Sequence, residues 1–359
     1  MNRGLARNLK ELVNPNWVRR PTVPPFEAGL RPNSLLDEAR VAQSSFEADD
    51  AAVLPDGSVA LSSGRTVHLF QGEGSLDLLV SFEGTVMALA ARSGEIIAAV
   101  EGRGLVQIDV GGKVTDLCQD ESLRSCVTSI CALDDGRLAV TVGSVHHSHD
   151  AWNHALVVRE ASGFLALVDN GTVQTITSDL AWPAGVCAGD TGELLLSLSH
   201  LHRIEKYIVA SSAREVVLDN LPAYPGRLTP HPDGWIVAFP YVRNRLSELL
   251  LEEKDFVEEM VRTINPQEWM LPRLRNENPY TSALQLGQLR VLGVLKPWAP
   301  ARSYGLVGVL GRGGRITSSF HSRVEGSQHG VTAAVSTSAG ILVAVRGNRN
   351  LLMLKEGTS

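Results

Sequence analysis

The chain has 359 residues and a formal net charge of −6, so it carries no basic surplus that would favour binding to nucleic acid. Hydrophobic residues make up 44% of it, yet no stretch approaches the roughly 18 apolar residues of a membrane span. The first twenty residues include basic side chains but no continuous apolar run, which argues against a secretory signal. We expect a cytoplasmic protein that binds neither nucleic acid nor membranes, and nothing in the sequence indicates its oligomeric state.

The four cysteines show neither a Cys-x-x-Cys pair nor a spacing typical of a metal site. They are Cys118, Cys126, Cys131 and Cys187. Buried free thiols in a reducing compartment are the expected outcome.

The first 45 residues are typical of an arm rather than of a separate domain. Their five prolines interrupt any long helix or central strand. Trp17 and Phe26 are large apolar side chains that can anchor such a segment. We therefore expect residues 1–45 to pack on a body formed by residues 46–359.

Glycine-containing tight turns, each flanked by short strand-like runs, recur six times along the rest of the chain. The turns are Pro55-Asp56-Gly57, Arg92-Ser93-Gly94, Asp134-Asp135-Gly136, Asp190-Thr191-Gly192, Pro232-Asp233-Gly234 and Ser338-Ala339-Gly340. The flanking runs are rich in β-branched and aromatic residues, as strands are. A single unit of this kind cannot bury its own apolar face, so the units must pack around a common axis. The pattern predicts an all-β protein, a six-bladed β-propeller.

Later units add an outer hairpin, and two units are longer than the others. The hairpin turns are Gly111-Gly112, Asn170-Gly171 and Gly313-Gly314. One extra segment follows the third tight turn. The other covers about residues 243–303 and begins with apolar residues at helical spacing between Leu246 and Val261. This helical insertion is a lid over the funnel, a helix that binds a partner, or a structural cover.

Short motifs in the second half of the chain carry a family resemblance. They are Trp182-Pro183-Ala184-Gly185-Val186, Leu194-Leu195-Leu196, His202-Arg203-Ile204-Glu205-Lys206-Tyr207, the run from Leu221 to Leu228, and Pro232-Asp233-Gly234-Trp235. In order and spacing they resemble the strictosidine synthase-like family, which is grouped with gluconolactonases and senescence marker protein in a superfamily of six-bladed propellers. The similarity extends more weakly from about Phe46 to Leu354. It implies an enzyme that acts on a small molecule in an axial funnel.

The resemblance also implies a divalent cation, commonly calcium, held on the funnel floor by one Glu, two Asn and one Asp. The matching positions here are Asp49, Thr128, Ala184 and Gly226. Calcium takes about six to eight oxygen ligands, so Asp49 binds it poorly even with help from Asp50 and Thr128. We expect no cofactor, with a divalent cation at a residual Asp49 site as the alternative.

Arg227 follows the position of the lost Asp and brings a fixed positive charge to the predicted floor. One interpretation makes its guanidinium a contact for an anion or oxyanion of the substrate. The other makes it a salt-bridge partner of Asp49 or Asp50 that closes the axis.

The name-giving reaction of the family, condensation of an arylethylamine with an aldehyde, resembles one that uses a Glu on the last inner strand. The matching stretch here, residues 330–335, contains no carboxylate. Thr332 stands in this stretch and cannot act as a base. The chain therefore resembles the family in fold but lacks both the usual set of cation ligands and the Glu on the last inner strand.

A polar stretch in the third unit contains four histidines between His146 and His154. In the family this stretch lies in a loop over the funnel, so we predict His147 or His154 as an acid or base and Asp150 as its orienting partner. One alternative is a zinc site built from three histidines: His146, His149 and His154. The other alternative is a solvated rim without chemistry.

Trp152 and Trp182 offer flat apolar walls for an aromatic or polycyclic small molecule. The other predicted substrate contacts are Asp49, Asp50, Thr128, Tyr224 and Thr332. The reaction is predicted to be hydrolysis or ring opening of a lactone or ester, or a metal-free cyclisation or condensation. Two alternatives stay open: a non-catalytic propeller that serves as a binding or scaffold module, and a calcium-dependent lactonase with a displaced site.

Overall fold

The computed structural model describes residues 22–72, 75–275, 290–291, 294–295 and 303–355. Within this part of the chain, six four-stranded antiparallel sheets are arranged around an axis, and helices are few. The predicted six-bladed β-propeller is confirmed. Residues 1–21, which include the predicted anchor Trp17, lie outside the described residues.

Strand β1 (Arg40–Ser44) precedes the first blade in sequence, and blades 1 to 4 then each use four consecutive strands. Blade 1 contains β2 (Ala51–Val53), β3 (Val59–Ser63), β4 (Thr66–Gly72) and β5 (Ser75–Ser81). Blade 2 contains β6 (Val86–Arg92), β7 (Glu95–Val100), β8 (Gly104–Ile108) and β9 (Val114–Cys118). Blade 3 contains β10 (Val127–Ala132), β11 (Leu138–Val142), β12 (Gly163–Asp169) and β13 (Thr172–Leu180). Blade 4 contains β14 (Pro183–Ala188), β15 (Leu194–Leu198), β16 (Arg203–Ile208) and β17 (Ala213–Leu218).

Blades 5 and 6 depart from this simple order. Blade 5 contains β19 (Leu228–His231), β20 (Gly234–Phe239), β24 (Gly305–Gly311) and β25 (Arg315–Ser322). A separate two-stranded sheet, β18 (Ala223–Tyr224) with β21 (Tyr241–Val242), is formed by the segments just before β19 and just after β20. A second small pair is β22 (Arg290–Val291) with β23 (Val294–Leu295). Blade 6 contains β26 (Val331–Thr337), β27 (Gly340–Val345), β28 (Asn350–Leu354) and, as its outer strand, β1.

Pairing of the first strand with the last closes the ring. Arg40 stands opposite Met353 and Ser44 opposite Asn350, so blade 6 is built from both ends of the described chain. The inner strands β2, β6, β10, β14, β19 and β26 each contact the inner strand on either side. Each inner strand is the end strand of its sheet, and its free edge is protected because the ring places it at the axis beside its neighbours.

The six tight turns predicted from the sequence each join the first and second strands of a blade. Their glycines all have a positive φ: Gly57 87°, Gly94 86°, Gly136 86°, Gly192 86°, Gly234 147° and Gly340 125°. A side chain at these positions would be strained, which explains why glycine recurs there. All six turns lie at one face of the ring, so the connections between second and third strands emerge at the opposite face.

The two long connections between second and third strands belong to blades 3 and 5. The first carries α2 (Trp152–Val157), whereas α1 (Leu35–Glu38) lies in the arm. The second carries α3 (Arg245–Leu250) and α4 (Lys254–Thr263), so the predicted helical run is two helices rather than one. The break is fixed by Arg159, whose Nη2 donates a hydrogen bond of 2.8 Å to the carbonyl of Leu251 and so caps the end of α3.

The blade 5 connection packs on the blade 3 connection. Leu251, Met260 and Trp269 are buried in the same apolar cluster as Trp152 and Leu156. The described part of the insertion is thus a cover that joins two long connections over one face of the ring. No helix in the described part of the chain has both the length and the apolar character needed to cross a bilayer.

The described part of the arm packs on the outer strand of blade 5. The ring of Phe26 stacks on Tyr304 with 5.5 Å between centroids and meets His321 edge-on at 5.7 Å. The side chain of Asn33 donates to the carbonyl of Ser319 at 2.9 Å and accepts from the amide of His321 at 3.0 Å. Residues 22–39 are therefore held to the body by specific contacts.

His321 makes the stability of this contact depend on pH. The side chain is completely buried, with Nδ1 3.0 Å from the Tyr304 hydroxyl and Nε2 2.8 Å from Ser319 Oγ. Burial lowers the pKa of His321 from 6.5 to about 4.

Below pH 6.5 the unfolded chain binds the proton first, so the free energy of unfolding falls by about 2 kcal/mol between pH 7 and pH 5 from this residue alone. Urea denaturation at the two pH values measures this fall.

The His321→Gln variant should lose most of that pH dependence. His146→Gln, a change at an exposed histidine, should keep it. An unchanged pH slope in His321→Gln would contradict the assignment.

Candidate functional site

A cavity of about 230 Å³ lies on the axis at the face that carries the long connections. Its floor is formed by Asp49, Thr128, Ala184, Gly226, Arg227 and Thr332. Its walls are formed by His149, Asp150, Trp152, Trp182, Ser199, Pro240, Tyr241, Leu274 and Arg346. The floor residues stand at or just before the start of inner strands, and most wall residues follow the second strand of a blade. The ring topology thus brings residues from distant parts of the sequence into one cavity.

Arg227 fills the centre of the floor. Its Nη1 donates to the Asp49 carbonyl at 2.9 Å, and its Nη2 donates to the Met87 carbonyl at 2.8 Å. The same Nη2 is 2.7 Å from Asp49 Oδ2, and Nε is 3.2 Å from Asp50 Oδ2. The side chain therefore binds blades 1 and 2 from its own position in blade 5, and it is only 8% exposed. Of the two interpretations drawn from the sequence, the structure contains the salt bridge.

A second guanidinium completes the ion pairs. Arg346 Nη1 lies 2.7 Å from Asp49 Oδ1, and Arg346 Nε lies 3.3 Å from Glu47 Oε1. Burial alone would raise the pKa of Asp49, but the charges of Arg227 and Arg346 outweigh it and hold that pKa well below its usual range. Asp49 is thus a permanent anion between two cations.

The negative charge of Asp50 is less fully compensated by neighbouring cations than that of Asp49. It is 3% exposed, and its oxygens accept the amides of Leu89 and Ala51, both at 2.8 Å. Burial raises the pKa of Asp50, and the charge of Arg227 offsets only part of that shift. Asp50, a substrate contact predicted from the sequence, does not line the cavity.

The floor does not fit the divalent cation that the family resemblance implies. Both Asp49 oxygens face guanidinium nitrogens, both Asp50 oxygens accept backbone amides, and Thr128 Oγ1 donates to the Pro183 carbonyl at 2.5 Å. Calcium would need about six to eight oxygens with a negative balance, whereas this set is occupied and holds the Arg227 charge at its centre. Among the described residues, no three His, Cys, Asp or Glu side chains are arranged to bind a metal ion, and this includes His146, His149 and His154.

A histidine and a carboxylate form one wall. They lie in a short 3₁₀ helix, residues 149–151, whose first amide donates to the Ser125 carbonyl at 3.0 Å. His149 Nδ1 is 3.8 Å from Asp150 Oδ1, and His149 is the more buried of the two side chains. The nearby His149 lowers the pKa of Asp150, so this carboxylate is ionised at neutral pH.

Aromatic rings form the opposite walls. Trp152 lies against Tyr241 with 4.3 Å between centroids, and its Nε1 donates to Ser199 Oγ at 3.3 Å. Trp182 stacks on His200 at 5.4 Å and has a φ of 52°, a conformation that costs free energy in a bulky residue. Burial raises the pKa of Tyr241 to about 12, so its hydroxyl stays a hydrogen-bond donor at neutral pH.

Several residues predicted from the sequence lie elsewhere. His147 Nδ1 is 3.4 Å from Glu160 Oε2, and the His154 ring lies edge-on to Trp269 at 4.7 Å. Tyr224 is completely buried, and its hydroxyl donates to Glu248 Oε1 at 2.5 Å. None of these three lines the cavity.

The cavity also contains side chains that the sequence analysis did not assign to a substrate site. Tyr241 and Arg346 follow the second strands of blades 5 and 6, and Ser199 follows that of blade 4. His149 occupies the equivalent connection of blade 3. Aligning the six repeats and reading the residues after each second strand would have identified all four.

Comparisons with known proteins agree with this fold and with the resemblance found in the sequence. No protein-family model matches the chain. It is 28% identical over 151 residues to the Arabidopsis thaliana protein strictosidine synthase-like 4 and 29% identical over 154 residues to strictosidine synthase-like 6. Each match covers 40% of this chain, and the chain spans 41% of each relative's length. The chain resembles the strictosidine synthase-like family.

Solved structures support the same architecture. An X-ray structure of a gluconolactonase-like protein superposes with a TM-score of 0.54 at 13% identity, over 89% of this chain and 94% of the other. The calcium-binding protein regucalcin from Agrobacterium tumefaciens also gives a TM-score of 0.54 at 13% identity, over 85% of this chain and 84% of the other. At such low identity these likenesses show the fold alone.

The buried ion pair on the floor can be tested by a double-mutant cycle. Asp49→Asn leaves Arg227 without its nearest counter-ion, and Arg227→Met leaves Asp49 and Asp50 under-compensated. We expect each single change to lower the free energy of unfolding by about 3–5 kcal/mol, and the double change to cost clearly less than the sum. Urea denaturation gives all four free energies.

An exposed ion pair serves as the control for this cycle. Arg262→Met removes the partner of Glu259 on the surface of α4 and should change the free energy of unfolding by less than about 1 kcal/mol. Additive effects of Asp49→Asn and Arg227→Met would show that the two side chains are not coupled.

Proposed function

We propose that this chain is a hydrolase that opens a small lactone or ester in the axial cavity without a divalent cation. The observation that carries the proposal is the composition of the cavity walls. A His149–Asp150 pair, a hydroxyl donor on Tyr241 and the guanidinium of Arg346 border one space. The similarity to strictosidine synthase-like proteins and the gluconolactonase-like fold support an enzyme of this kind.

The proposed substrate is a compact molecule with an aromatic or fused-ring body. At about 230 Å³ the cavity is smaller than pockets for drug-sized ligands, which span about 300–1,000 Å³. Trp152 and Trp182 offer flat faces for such a body. Leu274, from the segment after α4, narrows the cavity from the side of the insertion.

His149 is the proposed general base. It takes a proton from a water molecule as the water oxygen attacks the carbonyl carbon of the substrate. Asp150 orients the imidazole and stabilises the imidazolium that forms. The protonated His149 then gives its proton to the leaving alkoxide, so that the ring or ester bond opens and His149 returns to its neutral form.

Tyr241 and Arg346 are the proposed contacts of the oxyanion that develops on the carbonyl oxygen. Tyr241 is protonated throughout the neutral range because burial raises its pKa to about 12. Arg346 carries a permanent charge and is held in place by its ion pairs with Asp49 and Glu47. Donors fixed before the reaction in this way stabilise developing charge at little reorganisation cost. In this proposal Arg227 acts through Asp49 and the floor rather than on the substrate.

Substitutions in the proposed acid–base pair should lower turnover and leave the fold intact. A panel of aryl esters and aromatic and aliphatic lactones provides the substrates, with hydrolysis followed by proton release. For the substrate that is turned over best, we expect His149→Gln to lower kcat/KM by about 10²-fold or more, and Asp150→Asn to lower it by a smaller factor.

The matched control for this test is His146→Gln, a change at a histidine of the same loop that does not line the cavity. It should keep both turnover and Tm. Wild-type activity in His149→Gln would contradict the proposed base. No hydrolysis of any panel member by the wild-type protein would favour a non-catalytic binding module.

Chelation should leave the protein unchanged. A calcium site filled at 100 times its Kd would add about 2.7 kcal/mol to the free energy of unfolding, and its loss would lower Tm by several degrees. We expect equal Tm and equal turnover with EDTA and with millimolar calcium, because Arg227 and Arg346 already neutralise the floor carboxylates. A calcium-dependent rise in Tm that EDTA reverses would instead support the calcium-dependent lactonase.

A further inference from the structure

A second cavity lies on the axis beyond the floor, on the side away from the proposed active site. It has a volume of about 260 Å³ and is lined by the inner strands of all six blades. Its residues follow those of the floor along the same strands: Ile130 follows Thr128, and Leu228 follows Gly226. Most of the lining is aliphatic, but it includes two thiols, Cys131 on β10 and Cys187 on β14. The proposed reaction uses neither.

The register of β10 and β14 brings these two thiols together. Thr128 Oγ1 donates to the Pro183 carbonyl at 2.5 Å, and the Val186 amide donates to Ser129 Oγ at 3.3 Å. Further along these two strands, Cys131 and Cys187 line the same cavity, and each thiol shifts the pKa of the other, lowering that of Cys131 and raising that of Cys187.

The other two cysteines have different surroundings. Cys126 is completely buried, and burial raises the pKa of its thiol to about 12. Cys118 is buried with its Sγ 3.2 Å from the Gly171 carbonyl. Neither lines the second cavity. Cys131 is half-buried at the cavity and so is the more accessible thiol of the pair, and its interaction with Cys187 lowers its pKa.

We propose that Cys131 and Cys187 form an oxidative modification site, at which hydrogen peroxide converts the two thiols to a disulfide that joins blades 3 and 4. The Cys131 thiolate attacks one peroxide oxygen, the O–O bond breaks, and the leaving hydroxide takes a proton to become water. The Cys187 sulfur then attacks the Cys131 sulfenic acid, the S–O bond breaks, and the hydroxyl leaves with the Cys187 proton as a second water. The two thiols lose two electrons and two protons, and one peroxide becomes two waters.

The location of this bond determines its effect. It would link two adjacent inner strands that pairing within each blade does not join, and it would close the long loop between residues 131 and 187. A cross-link of this kind stabilises the folded chain by restricting the unfolded one. Arg227 and its partners Asp49 and Asp50 form a layer, the Arg227 layer, between the two cavities. The disulfide would therefore raise Tm without altering the groups that line the first cavity.

Peroxide treatment of the whole chain tests the proposal. After treatment, free thiols are alkylated under denaturing conditions and the protein is analysed by mass spectrometry. We expect the loss of two hydrogen atoms, two fewer alkylated thiols and a rise in Tm of several degrees that dithiothreitol reverses. Cys131→Ala and Cys187→Ala should abolish all three changes, whereas Cys118→Ala and Cys126→Ala should keep them.

A trapping experiment separates the order of the two steps. In Cys187→Ala, peroxide should leave a sulfenic acid on Cys131 that a cyclic 1,3-dione captures, and the corresponding adduct should not form on Cys187 in Cys131→Ala. Four alkylated thiols after peroxide treatment would overturn the proposal. So would a disulfide that includes Cys118 or Cys126, or one that joins two copies of the chain.

Discussion

The ion pair between Arg227 and Asp49 is the interaction on which the rest of the structure depends. It places a fixed positive charge on the floor of the first cavity and binds blades 1, 2 and 5 to one another. Two buried carboxylates at this level could not both ionise without a cation. The guanidinium supplies that cation from the chain itself, and Arg346 adds a second one on the side of the cavity.

This arrangement also divides the axis into two chemically different spaces. Above the Arg227 layer, the first cavity combines ionised groups with aromatic walls, which suits attack on a polarised carbonyl. Below it, the second cavity is mostly aliphatic and contains a pair of thiols. Residues at or just before the start of five inner strands form the floor of the first cavity, and the inner strands of all six blades line the second.

The sequence predicts the architecture well and the site only in part. The six glycines predict the blades because each tight turn requires a positive φ. Pairing of Arg40–Ser44 with β28 escaped prediction, since it joins the two ends of the chain and leaves no local signal. The resemblance places Arg227, Trp152 and Trp182 at the funnel. The sequence does not favour His149 over His147 and His154 as a cavity residue, because only the turn of a short 3₁₀ helix decides which imidazole enters the cavity.

A crystal structure from millimolar calcium at high resolution tests the central claim most directly, because it locates whichever cation occupies the axis. The account predicts planar guanidinium density for Arg227 between Asp49 and the Met87 carbonyl, with no ion beside it. A calcium ion coordinated by Asp49 and Asp50, with Arg227 displaced from the floor, would contradict it.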